Sequence, residues 1–230
     1  MTPIDELKRQ AGIHAADQVL SGMIVGLGHG STAIHAVRRI AERLNTGDLR
    51  GVLGIPCSAQ VEKEALALGI PLTTLEQHPV IDLTIDGADE VDPQLELIKG
   101  GGGALTREKI VAQASRQEII IVDSSKLVPA LGTGWAIPVE VIPFGYGSQQ
   151  AFLEGLGAAV KVRQKADGTP FITDQGNFIL DARFGPLADP AAVAAILKAR
   201  TGIVEHGLFI GLATQVIVAD ASGIRVMKRT

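Results

Sequence analysis

Asp86 and Asp89 stand three residues apart in Asp86-Gly87-Ala88-Asp89-Glu90, directly after the candidate strand Val80–Ile85. Two carboxylates at that spacing, on a turn that Gly87 permits, can hold sugar hydroxyls or trade protons; the plainer reading is helix capping by either one. Further along, Lys99-Gly100-Gly101-Gly102-Gly103-Ala104-Leu105-Thr106-Arg107-Glu108-Lys109 joins a cation, four glycines and a carboxylate in one stretch. Ordering four glycines carries a large entropic cost, so a bland linker explains them poorly. Lys99 supplies charge and the glycine amides supply donors. Glu108 falls in the first turn of a helix. There it is either a surface anion that complements the helix dipole or a carboxylate aimed into a cleft.

Two further loops carry polar groups. Gly26-Leu27-Gly28-His29-Gly30-Ser31-Thr32 lies between an apolar run and a helix-periodic stretch. It is neither a dinucleotide fingerprint, because Ser31 takes the third glycine position, nor a P-loop, because no Gly-Lys-Ser/Thr follows. Its glycines and helix start suit an anion such as phosphate, with Ser31 and Thr32 as hydroxyl donors; a simple N-cap in a tight turn is the alternative. The His29 ring either points to solvent, leaving its backbone N–H to the ligand, or faces the phosphate as a direct ligand. Asp123-Ser124-Ser125-Lys126 places another cation after an apolar run, where the plainer reading is a solvated lysine. No His pair or multi-cysteine set has metal-ligand spacing, and an EF-hand starting at Asp82 fails because its twelfth position is Pro93. No metal and no cofactor are expected.

The elements that must position these loops alternate along the chain. Met23–Leu27, Gly51–Ile55, Val80–Ile85 and Ile119–Val122 read as buried strands. Between them, helical spacing runs through Ile34, Val37, Ile40, Ala41 and Leu44, through Val61, Ala65 and Leu68, and over Leu105–Ala114. A β-α-β-α rhythm predicts a parallel sheet covered by helices. All four loops follow candidate strands, so all open on one edge of that sheet, where such sheets bind ligands. The rhythm changes near Gly132. Strands are expected at Pro138–Ile142 and Ala158–Val162, helices at Gln149–Leu156 and Pro190–Ala199, and a hairpin of Phe171–Thr173 and Asn177–Asp181 around Asp174-Gln175-Gly176. This suggests a small α+β unit. Leu208–Leu212 and Gln215–Ala219 are strand-like again and could return to the first domain.

Composition narrows the class. The 230 residues hold 21 Lys and Arg against 25 Asp and Glu, a net charge of −4 that argues against a dedicated nucleic-acid binder. Hydrophobic content of 46% with 20% charge is a globular mix, and aromatics at 3% weaken any reading built on base stacking. One cysteine, Cys57, excludes an internal disulfide. The apolar runs are short of the roughly 20 residues of a membrane span. Met1-Thr2-Pro3-Ile4-Asp5-Glu6 starts acidic and lacks the order of a signal peptide. The expected setting is cytoplasmic, with no membrane and no nucleic acid as partner.

Taken together the four loops resemble ribose-5-phosphate isomerase of the A type, and the resemblance runs the length of the chain. It includes Pro138-Val139-Glu140-Val141-Ile142-Pro143 and His206-Gly207-Leu208-Phe209, and its most specific element is Lys99–Lys109. The resemblance implies interconversion of D-ribose 5-phosphate and D-ribulose 5-phosphate, with a small sugar phosphate as partner. Glu108 falls on the family's catalytic base, and Asp86, Asp89 and Lys99 on residues that hold the sugar end. Gly87, Ala88, Gly100, Gly101 and Gly102 accompany them as substrate-binding positions. Ser31, Thr32 and Lys126, with His29 and Gly30 beside them, fall on the phosphate site, and Lys8 is a further candidate there. The implied fold is α/β: a Rossmann-like, mostly parallel sheet domain over 1–131 and 207–230 with an inserted smaller α+β (ferredoxin-like) lobe over 132–206. A homodimer or homotetramer is the implied assembly. His29 stands where members often carry Thr, and Ile55–Gln60 departs from a loop usually richer in Ser and Thr. Two other classes compete: a non-catalytic sugar-phosphate sensor of related fold, and another sugar-phosphate enzyme such as a lactonase or amino-sugar deaminase, which would usually use His in catalysis.

Overall fold

In the computed structural model, residues 3–229 are described; Met1 and Thr2 of the acidic start, and Thr230, lie outside them. In chain order the first elements are α1 (Pro3–Ala16), β1 (Ile24–Leu27), α2 (Ala33–Asn45), β2 (Leu53–Pro56), α3 (Ala59–Ala67) and β3 (Leu83–Asp86). Then come β4 (Glu90–Val91), β5 (Leu97–Ile98), α4 (Leu105–Gln113), β6 (Glu118–Asp123) and a 3-10 turn at Ser124–Lys126. The remainder is β7 (Ile137–Val141), α5 (Tyr146–Gly155), β8 (Ala159–Val162), β9 (Phe178–Arg183), α6 (Pro190–Lys198), β10 (Ile203–His206), β11 (Leu208–Phe209), β12 (Gln215–Asp220) and β13 (Gly223–Lys228). The chain divides into two compact units, Met1–Ala88 with Arg107–Lys126 and Leu212–Thr230, and Asp89–Thr106 with Leu127–Gly211.

The first unit carries a six-stranded sheet in the order β13-β12-β6-β3-β1-β2. All neighbours pair in parallel except β12 and β13. Glu118–Asp123 is buried at every residue, the near-continuous apolar reading of a strand covered on both faces. In α2 the buried residues Ala33, Ala36, Val37, Ile40 and Ala41 form one helical stripe, and Ser58 caps α3 by accepting from the Val61 N–H at 3.1 Å. From β1 the chain crosses to β2 on one side, while β3 and then β6 lie on the other. The point where strand order reverses is thus between β1 and β3, the place where open α/β sheets form a crevice at the strands' carboxyl ends.

The second unit contains a four-stranded antiparallel sheet ordered β10-β7-β9-β8, with α5 and α6 in the crossovers. The β-α-β-β-α-β order is the ferredoxin-like arrangement. A three-stranded sheet, β11-β5-β4, belongs to the same unit. Three expectations are corrected here. Leu208–Leu212 does not return to the parallel sheet: Leu208 and Phe209 pair with Ile98 and Leu97, and β12 makes the return. Phe171–Thr173 is not a strand. The Asp174-Gln175-Gly176 turn is closed by Thr173 N–H to Asn177 O at 2.9 Å, but β9 finds its hairpin partner in β8. Finally, Asp89–Thr106 and the flanks of 132–206 group with the lobe rather than with a sheet domain over 1–131 and 207–230, because β4 and β5 pair with β11. No helix among the described residues is long and apolar enough to cross a membrane.

Candidate active site

In the first unit the site grows from the carboxyl ends of β1, β3 and β6. Asp86 is the last residue of β3 and only 1% exposed. Its Oδ1 accepts from the Gly87 N–H at 2.7 Å and the His29 N–H at 3.0 Å, so the loops after β1 and β3 are tied together through one carboxylate oxygen. Gly28 makes this approach possible: a Cβ there would overlap that same oxygen. Gly30, at φ +114°, takes a backbone conformation that side chains disfavour and turns the chain toward α2. Thr32 precedes α2, yet its side chain makes no capping hydrogen bond, so the N-cap reading is not realised there. Ser31 accepts from Lys8 Nζ at 3.0 Å, which brings the α1 lysine to the loop. A cavity of 430 Å³ is lined by Gly28–Ser31 together with Ile34, Arg38, Gln60, Val61 and Glu64.

The expectation for His29 is corrected. Its ring Nδ1 lies 2.9 Å from the Ser58 hydroxyl, and its backbone N–H is committed to Asp86. The cause is strand order: β2 pairs with β1 through Leu27 and Pro56, so the turn that follows β2 runs beside the β1 loop.

Glu108 lies in the first turn of α4 and is 4% exposed, which removes the surface reading. A carboxylate oxygen of Glu108, one of Asp86 and the Sγ of Cys57 all lie within 4.8 Å of one another. Sequence spacing disclosed no such group, because Cys57 reaches the carboxylates only through the pairing of β2, β1 and β3. Each could offer one atom to a cation. Equally, a buried base beside a second carboxylate is an arrangement for moving protons. Lys126 ends the 3-10 turn after β6, the strand next to β3, and is half-buried rather than fully solvated. Ala88 is the last residue of this unit before the chain enters the other.

In the second unit Asp89 Oδ2 accepts from the Gly101 N–H at 2.7 Å, and the Asp89 N–H donates to Ile98 O at 2.8 Å. Neither Asp86 nor Asp89 caps a helix; each binds loop amides. A Cβ on Gly101 would stand 2.6 Å from Asp89 Oδ1, so the glycine is needed for this contact. Gly100 and Gly103 have φ of +103° and +86°, and the Gly103 N–H closes the turn onto Gly100 O at 3.0 Å, with Gly101 and Gly102 exposed at its tip. Lys99 is 2% exposed, with Nζ 5.4 Å from the centroid of the Phe209 ring, a cation–π contact. Its backbone N–H donates to Gly207 O at 2.9 Å.

One buried acid escaped the sequence reading of roles. Glu140, fully buried on β7, accepts from the hydroxyls of Thr106 at 2.5 Å and Thr173 at 2.8 Å and from Asn177 Nδ2 at 2.9 Å. Thr106 is the second residue of α4, so Glu140 anchors the start of the helix that carries Glu108. The available signal was a charge in the middle of an apolar strand, Pro138–Ile142.

Residues 53–223 match the family model described as ribose 5-phosphate isomerase A (phosphoriboisomerase A). The chain is 59% identical over 224 residues to a ribose-5-phosphate isomerase A of Chloroflexus aurantiacus, covering 97% of this chain and 94% of the relative. Among solved structures, a D-ribose-5-phosphate isomerase in complex with phospho-erythronic acid superposes with a TM-score of 0.97 at 37% identity, covering 99% of this chain and 100% of the other. The ribose 5-phosphate isomerase of Plasmodium falciparum gives 0.94 at 42% identity, over 97% and 98% of the two chains.

Proposed function

Because the chain belongs to the ribose 5-phosphate isomerase A family, we propose that Glu108 is the base of its isomerisation and that the other loop residues hold the substrate around that step. The enzyme interconverts D-ribose 5-phosphate and D-ribulose 5-phosphate. The sensor alternative has no support among these relatives, which are named as isomerases.

The observation that carries the assignment is the buried Glu108 carboxylate beside Asp86. In the open-chain aldose a base takes the proton from C2, and the C2 electron pair forms the C1–C2 double bond as the carbonyl electrons move onto O1. A proton passes from O2 to O1, the acid returns its proton to C1, and C2 becomes the ketone. One carboxylate suffices for both transfers, and a positioned base contributes about 10²–10⁴-fold. In this reading Asp86, with Oδ1 held by two backbone donors, and Asp89 bind sugar hydroxyls and assist ring opening. Lys99 and the amides of Gly100 and Gly102 stabilise the oxyanion, while the Gly101 amide serves the substrate indirectly by holding Asp89. Ser31, Thr32 and Lys126 take the phosphate with Lys8, while Gly30, Gly87 and Ala88 supply backbone, and His29 braces the loop through Ser58.

A solved relative binds phospho-erythronic acid, which supports a sugar phosphate as ligand here. The test of the phosphate assignment is Lys126→Ala. The charge-assisted contact is worth about 1.5–3 kcal/mol, so KM for ribose 5-phosphate is expected to rise at least about tenfold, while residual turnover of free ribose is unchanged. Equal effects on both substrates would move Lys126 away from the phosphate. Activity is expected to survive exhaustive chelation, because base and fixed donors complete the chemistry. A loss reversed by an added divalent ion would recast Cys57, Asp86 and Glu108 as ligands.

A cytoplasmic homodimer or homotetramer completes the proposal. Support for the self-association is Phe144, 92% exposed between the exposed Ile142 and Tyr146, an apolar segment that a second copy would cover.

A further inference from the structure

The assignments above give no role to Arg163, which follows β8 and lies wholly within the second unit. Its guanidinium is committed on two edges. Nε donates to Asp181 Oδ2 at 3.0 Å and Nη2 to Asp181 Oδ1 at 2.5 Å, a bidentate pair with a residue of the neighbouring strand β9. Nη1 donates to the carbonyl oxygens of Gly100 at 2.8 Å and Gly101 at 3.1 Å. The backbone beneath it is fixed as well, with Arg163 N–H to Ile179 O at 2.8 Å and Phe171 N–H to Arg163 O at 2.9 Å.

The Gly100–Gly101 peptide is therefore held at both ends. Its carbonyl takes Arg163 Nη1, and its N–H donates to Asp89 Oδ2 at 2.7 Å. Glycine backbones populate the widest range of conformations, so four in a row have little intrinsic preference for this one. Rotating that peptide would turn its carbonyl oxygen toward the Asp89 carboxylate and lose both contacts. From this geometry we infer that Arg163 is a positioning residue for the isomerisation: it locks the Gly100–Gly101 peptide and, through it, Asp89 and the adjoining Lys99. The inference rests on the roles proposed for Asp89, Lys99 and the glycine amides. A planar fork is required, because one edge must meet a carboxylate while the other meets two carbonyls. An ammonium is a point donor and cannot do both.

The experiment compares wild type with Arg163→Lys, Arg163→Ala and Asp181→Asn. Wild-type turnover of ribose 5-phosphate is measured first; its absence would sink the functional reading itself, and amide exchange at Gly100–Gly103 would still decide whether Arg163 holds the run. In Arg163→Lys and Arg163→Ala, kcat is expected to fall at least about tenfold with KM within about threefold, and Asp181→Asn to fall in the same direction. Competitive inhibition by inorganic phosphate should stay as in wild type, because Ser31, Thr32 and Lys126 belong to the other unit. Amides of Gly100–Gly103 should exchange faster in the folded variants. The void left in Arg163→Ala borders a cavity of 390 Å³ that Gly101, Asp181 and Trp135 also line, so millimolar guanidinium should restore part of kcat while methylammonium does not. A merely structural loss would not be rescued by a denaturant. A kcat within twofold of wild type in Arg163→Lys, or unchanged exchange at Gly100–Gly103 in the folded variants, would overturn the inference.

Discussion

Glu108→Gln is expected to lower kcat at least about 100-fold while KM for ribose 5-phosphate stays within about threefold. Gln keeps the size and shape of the side chain but cannot accept the C2 proton. Because Glu108 is 4% exposed, a smaller replacement would leave a gap at the start of α4 and mix a folding defect into the measurement. Gln avoids this. The carboxylate that shares a 4.8 Å cluster with Glu108, Asp86, already has Oδ1 engaged by the Gly87 and His29 amides, which suits a holding group more than a shuttling one. Single-turnover exchange of the C2 proton with solvent deuterium separates the two. Loss of exchange in Glu108→Gln with substrate binding kept assigns the base. Exchange at the wild-type rate would pass the role to Asp86.

The local signals explain how much of this was legible. Apolar runs ending in glycine or polar loops mark β1, β2 and β6, because strands buried on both faces have little polar alternation to confuse them; β3 reads through Ile81, Leu83 and Ile85 despite Asp82 and Thr84. The loops after β1, β3 and β6 were legible as sites for the same reason, since parallel strands put their ends on one edge; the expectation fails for the glycine run after Lys99, which follows β5, a strand paired antiparallel with β4 and β11 outside that sheet. Helix α1 left little trace, since its buried face is built on Ala11, Ala15 and Ala16, which contribute little hydrophobic contrast. Strand β13 is an edge strand, exposed over much of its length, and β4 and β5 are two residues each. The Asp174-Gln175-Gly176 turn was a true signal, but the choice of β8 as partner is made by the sheet, not by the turn.

The site was legible in its residue types and not in its long-range contacts. Glu108 alone favoured a surface reading on the dipole argument; its burial is decided by tertiary packing. Cys57 near two carboxylates, Ser58 against His29, and Glu140 beneath Thr106 all depend on which strands lie side by side. Arg163 reaches Gly100 across 63 positions of sequence, a separation at which spacing carries no information.

Gly28→Ala is expected to cost about 1–3 kcal/mol of stability through overpacking. The same change is expected to lower kcat about 100-fold, since misplacing a holding group by an ångström has that scale. The obstacle is space. An added Cβ would overlap Asp86 Oδ1 and the Ile85 carbonyl oxygen and lie 2.5 Å from Asp86 Cα. Two of these three atoms are backbone of the neighbouring strand, so no flexible side chain can yield. The third is the oxygen that accepts from His29 and Gly87. Relief requires the β1 loop to move away from β3, which breaks the His29 contact and shifts Asp86 together with the Ser31 loop. Melting temperature should fall by roughly 2–4 °C for each kcal/mol. Gly147→Ala supplies the control. Gly147 lies in α5 with nothing within 4 Å of an added Cβ, and a helical Gly→Ala change there should leave stability unchanged or raise it by up to about 1 kcal/mol. Wild-type melting and turnover in Gly28→Ala would show that the ends of β1 and β3 have slack, and that Asp86 is held by something other than their close approach.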